Sequence, residues 1–157
     1  MASQRMVAIL SESAEAQGVL QHTRDTLDRF GMPFIERVVE SRAVVKDTVA
    51  AFESAEAAVF VVANTSADPL SASVASVTAK PVLAVPLEAE GLGALEALRA
   101  TVRGGPPVAT LAIGKAGATN AGLLAVAILA NGDEGLRGKL EAFRAEQTAR
   151  VLADRLE

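Results

Sequence analysis

Residues 57–63 read Ala-Ala-Val-Phe-Val-Val-Ala (AAVFVVA), a run with no polar side chain between Glu56 and the polar stretch Asn64-Thr65-Ser66. Such a run is too short for a typical helix and rich in β-branched residues, so it reads as a strand buried on both faces. Similar segments recur in both directions. Residues 6–10 (MVAIL), 34–39 (FIERVV), 81–87 (PVLAVPL) and 108–114 (VATLAIG) read as four further strands.

Helical spacing fills the intervals. Val19, Leu20, Thr23, Leu27 and Phe30 form a stripe, and Gly31 stands where a C′ residue belongs. Val45, Val49 and Phe52 form a second stripe. Residues 69–79 read as a small-residue helix with Asp68 or Ser66 as N-cap, and 92–102 as another helix. Residues 117–130 are almost wholly apolar, and 133–156 form a long amphipathic helix carrying Leu136, Leu140, Phe143 and Val151. Buried strands alternating with helices predict an α/β three-layer sandwich around a parallel five-stranded sheet. By analogy its order is the flavodoxin-like 2-1-3-4-5, in one domain spanning 1–157 with an extended C-terminal helix.

Composition excludes several classes. Half of the 157 residues are hydrophobic and 22% are charged, which is not a disordered chain. A net charge of −4, with neither Trp nor Tyr, argues against a nucleic-acid partner. The absence of Cys removes disulfides, thiol nucleophiles and zinc–thiolate sites. No secretory leader or membrane-length apolar run is visible, so the expected setting is cytoplasmic, without a membrane partner. A helix as apolar as 118–130 needs cover on every side, which points to a homo-oligomer; the alternative is that Ala-rich helices tolerate partial exposure.

A ligand of such a sheet binds beyond the carboxyl ends of its strands. The loops there are 11–15, 40–44, 64–71 and 88–91, while 102–107, which includes Arg103, would reach the site only by folding over it or from another subunit. Ser11 and Ser13 suit a phosphate at a helix N-terminus. Glu12 and Glu15 do not, and read instead as carboxylates favoured by the positive end of the helix dipole. Arg42, next to Ser41, is a candidate grip for a carboxylate or phosphate, or else a solvated residue in a weak ion pair. Asn64, Thr65, Ser66 and Asp68 are candidate ligand contacts that turn and capping chemistry also explains. His22, the sole histidine, falls within a helix and reads as a surface residue. Lys115 lacks the glycine spacing and following Ser or Thr of a Walker loop.

Residues 110–121 (TLAIGKAGATNA) closely resemble the fifth strand and following helix of the PurE family, the class I N5-carboxyaminoimidazole ribonucleotide mutases or AIR carboxylases. The likeness continues through Leu123-Leu124-Ala125, Ile128-Leu129 and 140–151, with strand one, Arg37-Val38-Val39, Pro81-Val82-Leu83 and Val85-Pro86 in register. It implies a flavodoxin-like sandwich, usually an octamer, with no metal or organic cofactor. The loops that carry the family's chemistry depart from its pattern. Gly-Ser-x-Ser-Asp falls on Glu12-Ser13-Ala14-Glu15-Ala16, keeping only Ser13. Ser-Ala-His-Arg falls on Glu40-Ser41-Arg42-Ala43, so the acid–base histidine is Arg42. Gly-Gly-x-x-His-Leu-Pro-Gly falls on 65–72, where Pro69 replaces the second histidine and Leu70 is kept. Gly105 and Pro107-Val108 match the Met-Pro-x-Gly-x-Pro-Val segment, whereas Arg103 replaces its first proline.

Two readings follow. In the first, an enzyme or former enzyme handles a small carboxylated heterocycle or nucleotide. Arg42 would bind the carboxylate, Asp68 would move a proton, and Ser11, Ser13, Ser41, Asn64, Thr65 and Ser66 would orient the ligand. In the second, a PurE-like oligomer binds, scaffolds or regulates without catalysis.

Overall fold

The computed structural model describes residues 5–89, 91 and 93–154. Five parallel strands, β1 (Met6–Ser11), β2 (Phe34–Val38), β3 (Ala57–Asn64), β4 (Val82–Pro86) and β5 (Ala109–Thr110), form one sheet in the order β2-β1-β3-β4-β5. The expected order and three-layer architecture are therefore present. Helices α1 (Ala14–Val19), α2 (Gln21–Phe30), α6 (Gly114–Leu129) and α7 (Glu134–Ala153) cover one face, and α3 (Val45–Ser54) and α4 (Leu70–Ala75) the other. Helix α5 (Ala94–Thr101) packs beside β4.

Strand alternation divides the core. Val7, Ile9, Val59, Val61, Leu83 and Val85 face α1, α2, α6 and α7, whereas Ala8, Leu10, Phe60, Val62 and Val82 face α3 and α4. Small residues allow close helix approach on the first face. A Cβ at Gly122 of α6 would lie 2.8 Å from Thr26 Cβ of α2, and the buried Thr23 hydroxyl donates to the Ala118 carbonyl at 2.8 Å. The α7 N-terminus is capped by Asp133, whose carboxylate accepts the Leu136 N–H at 2.9 Å. Farther along, Phe143 meets Phe30 edge to face at 5.5 Å, while Val151 and Leu152 are exposed.

Several elements differ from expectation. The stripe through 19–30 spans two helices, because the chain resets at the fully buried Leu20; Gly31 then terminates α2 in the left-handed region, as expected. Helix α4 is shorter than 69–79 and has no side-chain cap. It follows the extended Pro69, and the Ser76 hydroxyl turns back onto the Ser73 carbonyl at its end. The fifth strand keeps only two residues. Gly114, at φ +70, turns the chain into α6, and Gly117 packs so closely that a Cβ there would sit 1.6 Å from the Ala112 carbonyl oxygen. Leu92 of the expected 92–102 helix, Glu90 of the 88–91 loop and the final residues of the expected C-terminal helix lie outside the described residues.

Candidate functional site

Because all strands run parallel, the loops after β1, β2 and β3 emerge at one edge. Strand β1 lies between β2 and β3, so the residue after β1 is flanked by both neighbouring loops. That residue is Glu12. Its carboxylate is bound by the Arg42 guanidinium through Nη2, and it accepts the Thr65 N–H and the Thr65 hydroxyl, each at 2.8 Å. Ser66 Oγ lies 3.0 Å from Glu12 Oε1 and 2.7 Å from the Asp68 carbonyl, so its single proton serves one of the two at a time. Arg42 Nη2 also donates to that carbonyl at 2.6 Å.

The Glu12 side chain is only 12% exposed, against 32% for Arg42. Burial raises its pKa, but hydrogen bonds from Arg42, the Thr65 backbone and the Thr65 hydroxyl, with the Arg42 charge, outweigh that and hold the carboxyl below its ordinary value of 4.5. Glu12 is therefore an anion at neutral pH with both oxygens occupied. Arg42 Nε is buried without a hydrogen-bond partner, and the 85% exposed Asp68 carboxylate stays 3.9 Å from it.

The other expected site residues divide by location. Ser13 caps α1, accepting the Ala16 N–H at 3.1 Å, and lines a small cleft of about 270 Å³ with Glu15, Thr65, Leu87 and Glu88. Ser41 caps a single 3₁₀ turn over Arg42–Val44, its hydroxyl accepting the Ala43 N–H at 3.2 Å. Ser11 is fully buried, with its hydroxyl 2.6 Å from Gln17 Oε1. Asn64 is also buried: its amide donates to the Ser71 and Thr101 hydroxyls at 2.8 and 3.3 Å, and its carbonyl accepts the Ser71 N–H at 3.0 Å. These two tie the sheet edge to α1, α4 and α5 from within. His22 lies on α2 and does not line the cleft.

Glu15 occupies the first turn of α1, where the helix-dipole reading places it. Glu12 does not belong to that helix, and local reasoning missed its partners. Among the described residues, no group of three or more His, Cys, Asp or Glu is arranged to hold a metal ion, and no helix is long and apolar enough to cross a membrane. A larger cavity of about 800 Å³ opens near Arg5, Phe30, Glu56, Asp133 and Lys139, at the start of β1 and the opposite end of the sheet. None of the motif loops contributes to it.

The parallel sheet between two helical layers, with polar side chains converging at its strand ends, defines a doubly wound protein of the α/β class. A family model described as AIR carboxylase matches residues 6–150, and the chain belongs to that family. It is 36% identical over 153 residues to the N5-carboxyaminoimidazole ribonucleotide mutase of Vibrio vulnificus, covering 94% of this chain and 95% of the relative. The mutase of the same name from Bacillus subtilis is 36% identical over 157 residues, with 95% of each chain covered. The crystal structure of Treponema denticola PurE superposes with a TM-score of 0.85 at 17% identity over 96% of both chains, a likeness of fold.

Proposed function

We propose that this chain is a PurE-family oligomer that does not interconvert N5-carboxyaminoimidazole ribonucleotide and its C4-carboxylated isomer, and that it acts as a cytoplasmic binding or regulatory member of the family. One observation carries the reading: Glu12 and Arg42, which the sequence resemblance sets at the family's glycine and acid–base histidine positions, are bound to each other. A guanidinium has no accessible proton to exchange near neutral pH. Glu12 is kept ionised and saturated with donors, which removes it as a base. Asp68 points its carboxylate into solvent.

Electrostatics support the same reading. Glu15 and Glu88 line the cleft, and each opposes a nearby phosphate by on the order of 1–4 kcal/mol, depending on exposure. Arg42, already neutralised by Glu12, does not offset them. The 270 Å³ cleft also falls below the roughly 300–1,000 Å³ usual for small-molecule pockets. Assembly as an octamer is part of the proposal: Leu124 of α6, Leu95 of α5 and Val102 at its C-terminal end are exposed apolar groups that a neighbouring subunit would cover.

A second reading is a carboxylase- or mutase-type enzyme of purine biosynthesis with a rearranged site. It is favoured by 36% identity to the mutase relatives, spread over 94–95% of this chain and 95% of each relative. An ultraviolet assay of the interconversion, with concentrated purified protein whose oligomeric mass is measured by light scattering, separates the two. The expected result is a folded oligomer with no turnover above the uncatalysed rate. Turnover that disappears in Arg42→Ala or Ser13→Ala would overturn the proposal.

A further inference from the structure

We infer that the donors around Glu12 form a carboxylate-binding site whose occupant is the chain's own side chain, so that truncating Glu12 opens it to a small free carboxylate. The inference rests on reading the site as closed by its internal ion pair. Four donors converge on the two Glu12 oxygens: Arg42 Nη2, the Thr65 N–H, the Thr65 hydroxyl and the Ser66 hydroxyl. None is a sequence neighbour of Glu12; they stand 30, 53 and 54 residues away. Their positions are set without Glu12. Thr65 follows directly on β3, and Arg42 opens a turn that Ser41 caps. Ser66 and Arg42 both reach the Asp68 carbonyl.

The occupant fits imperfectly, which points to a ligand class. Glu12 is tethered to the end of β1 and engages only Nη2 of the guanidinium, leaving the buried Arg42 Nε without a partner. An untethered carboxylate can align its two oxygens with Nε and Nη2 together, the geometry in which arginine binds carboxylates best. Asp68 is the carboxylate near enough to compete for Nε, and at 3.9 Å and 85% exposed it does not close the pair. Size is set by the truncation: Glu12→Ala removes Cγ and the carboxyl group, the heavy atoms of acetate. The ligand class is therefore a planar monocarboxylate of formate or acetate size.

The test is thermal unfolding of Glu12→Ala in sodium acetate against sodium chloride at equal ionic strength and fixed protein concentration. Expected is a rise in Tm of about 3–6 °C at an acetate concentration some tenfold above Kd. Wild type should shift by less than about 1 °C, since its site is filled, and Glu12→Ala/Arg42→Ala should not respond. An equal response in wild type or in the double variant, or none in Glu12→Ala, would overturn the inference. If Glu12→Ala does not fold in chloride, refolding yield replaces Tm: recovery in acetate alone supports the inference, and no recovery in acetate overturns it. Mutase turnover by the wild type would overturn the functional proposal without altering this acetate comparison.

Discussion

A double-mutant cycle on Glu12 and Arg42 tests how strongly the strand-end loops are held together. Glu12→Ala removes the acceptor of three hydrogen bonds and of a fourth, from Ser66, that the Asp68 carbonyl shares, each worth about 1.5–3 kcal/mol when made to a charged group. Their sum is an upper bound, because Arg42 is 32% exposed and the hydroxyls can turn to water. The Thr65 N–H, donated from a partly buried position, recovers least. A loss of about 2–4 kcal/mol follows. Arg42→Ala leaves Glu12 with its Thr65 and Ser66 donors and is expected to cost about 1–2 kcal/mol. The coupling lies between the 0.2–1 kcal/mol of exposed pairs and the roughly 3–5 kcal/mol lost on breaking a fully buried one, at about 1–2 kcal/mol.

The assay is urea unfolding of wild type, both single variants and the double variant, at one subunit concentration and at several pH values. Unfolded Glu12 titrates near 4.5, while folded Glu12 titrates lower. Its stabilisation is thus complete above about pH 4.5, where both states are ionised, and is lost as pH falls through the depressed folded value. The coupling to Arg42 should decline over the same acid window. Effects additive within about 0.3 kcal/mol at pH 7, or a coupling that grows on acidification, would rule out a stabilising Glu12–Arg42 ion pair.

Two further sets of substitutions test the scaffold by the same denaturant assay. Ala at Gly117 or Gly122 should destabilise, by more than about 3 kcal/mol at Gly117, where a Cβ meets backbone, and by about 1–3 kcal/mol at Gly122, where it meets Thr26. Gly138→Ala, at an exposed position in the second turn of α7 with nothing within 4 Å, should instead stabilise by about 0.5–1 kcal/mol. Asn64→Ala leaves a buried Ser71 N–H without its acceptor and should cost about 2–3 kcal/mol, with a matching fall in urea midpoint.

The central strands were legible because each is buried on both faces and so cannot alternate with polar residues. Val7 through Leu10 and Val59 through Ala63 are all inaccessible to solvent, and their apolar runs announce it. Strand β5 is shorter than the expected 108–114 for a reason that the same rule hides. Its apolar run continues through Ile113, but pairing ends when Leu111 donates to the Ala84 carbonyl at 2.9 Å. After that the chain must bend to bring Gly117 against Ala112. Hydropathy records burial, not which backbone groups are paired. The reset at Leu20 escaped detection likewise, since a stripe of apolar residues carries across it unchanged.

The site was harder to read because its central contact joins loops rather than neighbours in sequence. A carboxylate near a helix start has a local explanation that suffices for Glu15 and hides the partners of Glu12. The information was nonetheless present at the level of topology. An order in which strand one separates strands two and three sets the residue after β1 between Arg42 and Thr65, so a negative charge there meets a positive one. This adjacency couples the two motif departures. Glu12 without Arg42 would be a largely buried carboxylate short of its charged partner, and a guanidinium at 42 facing glycine would lack its acceptor. A histidine at position 42 alone would face the Glu12 carboxylate, which favours the imidazolium form and ties up its proton. The two positions therefore form one electrostatic unit, and changing either alone leaves the other without its charged partner.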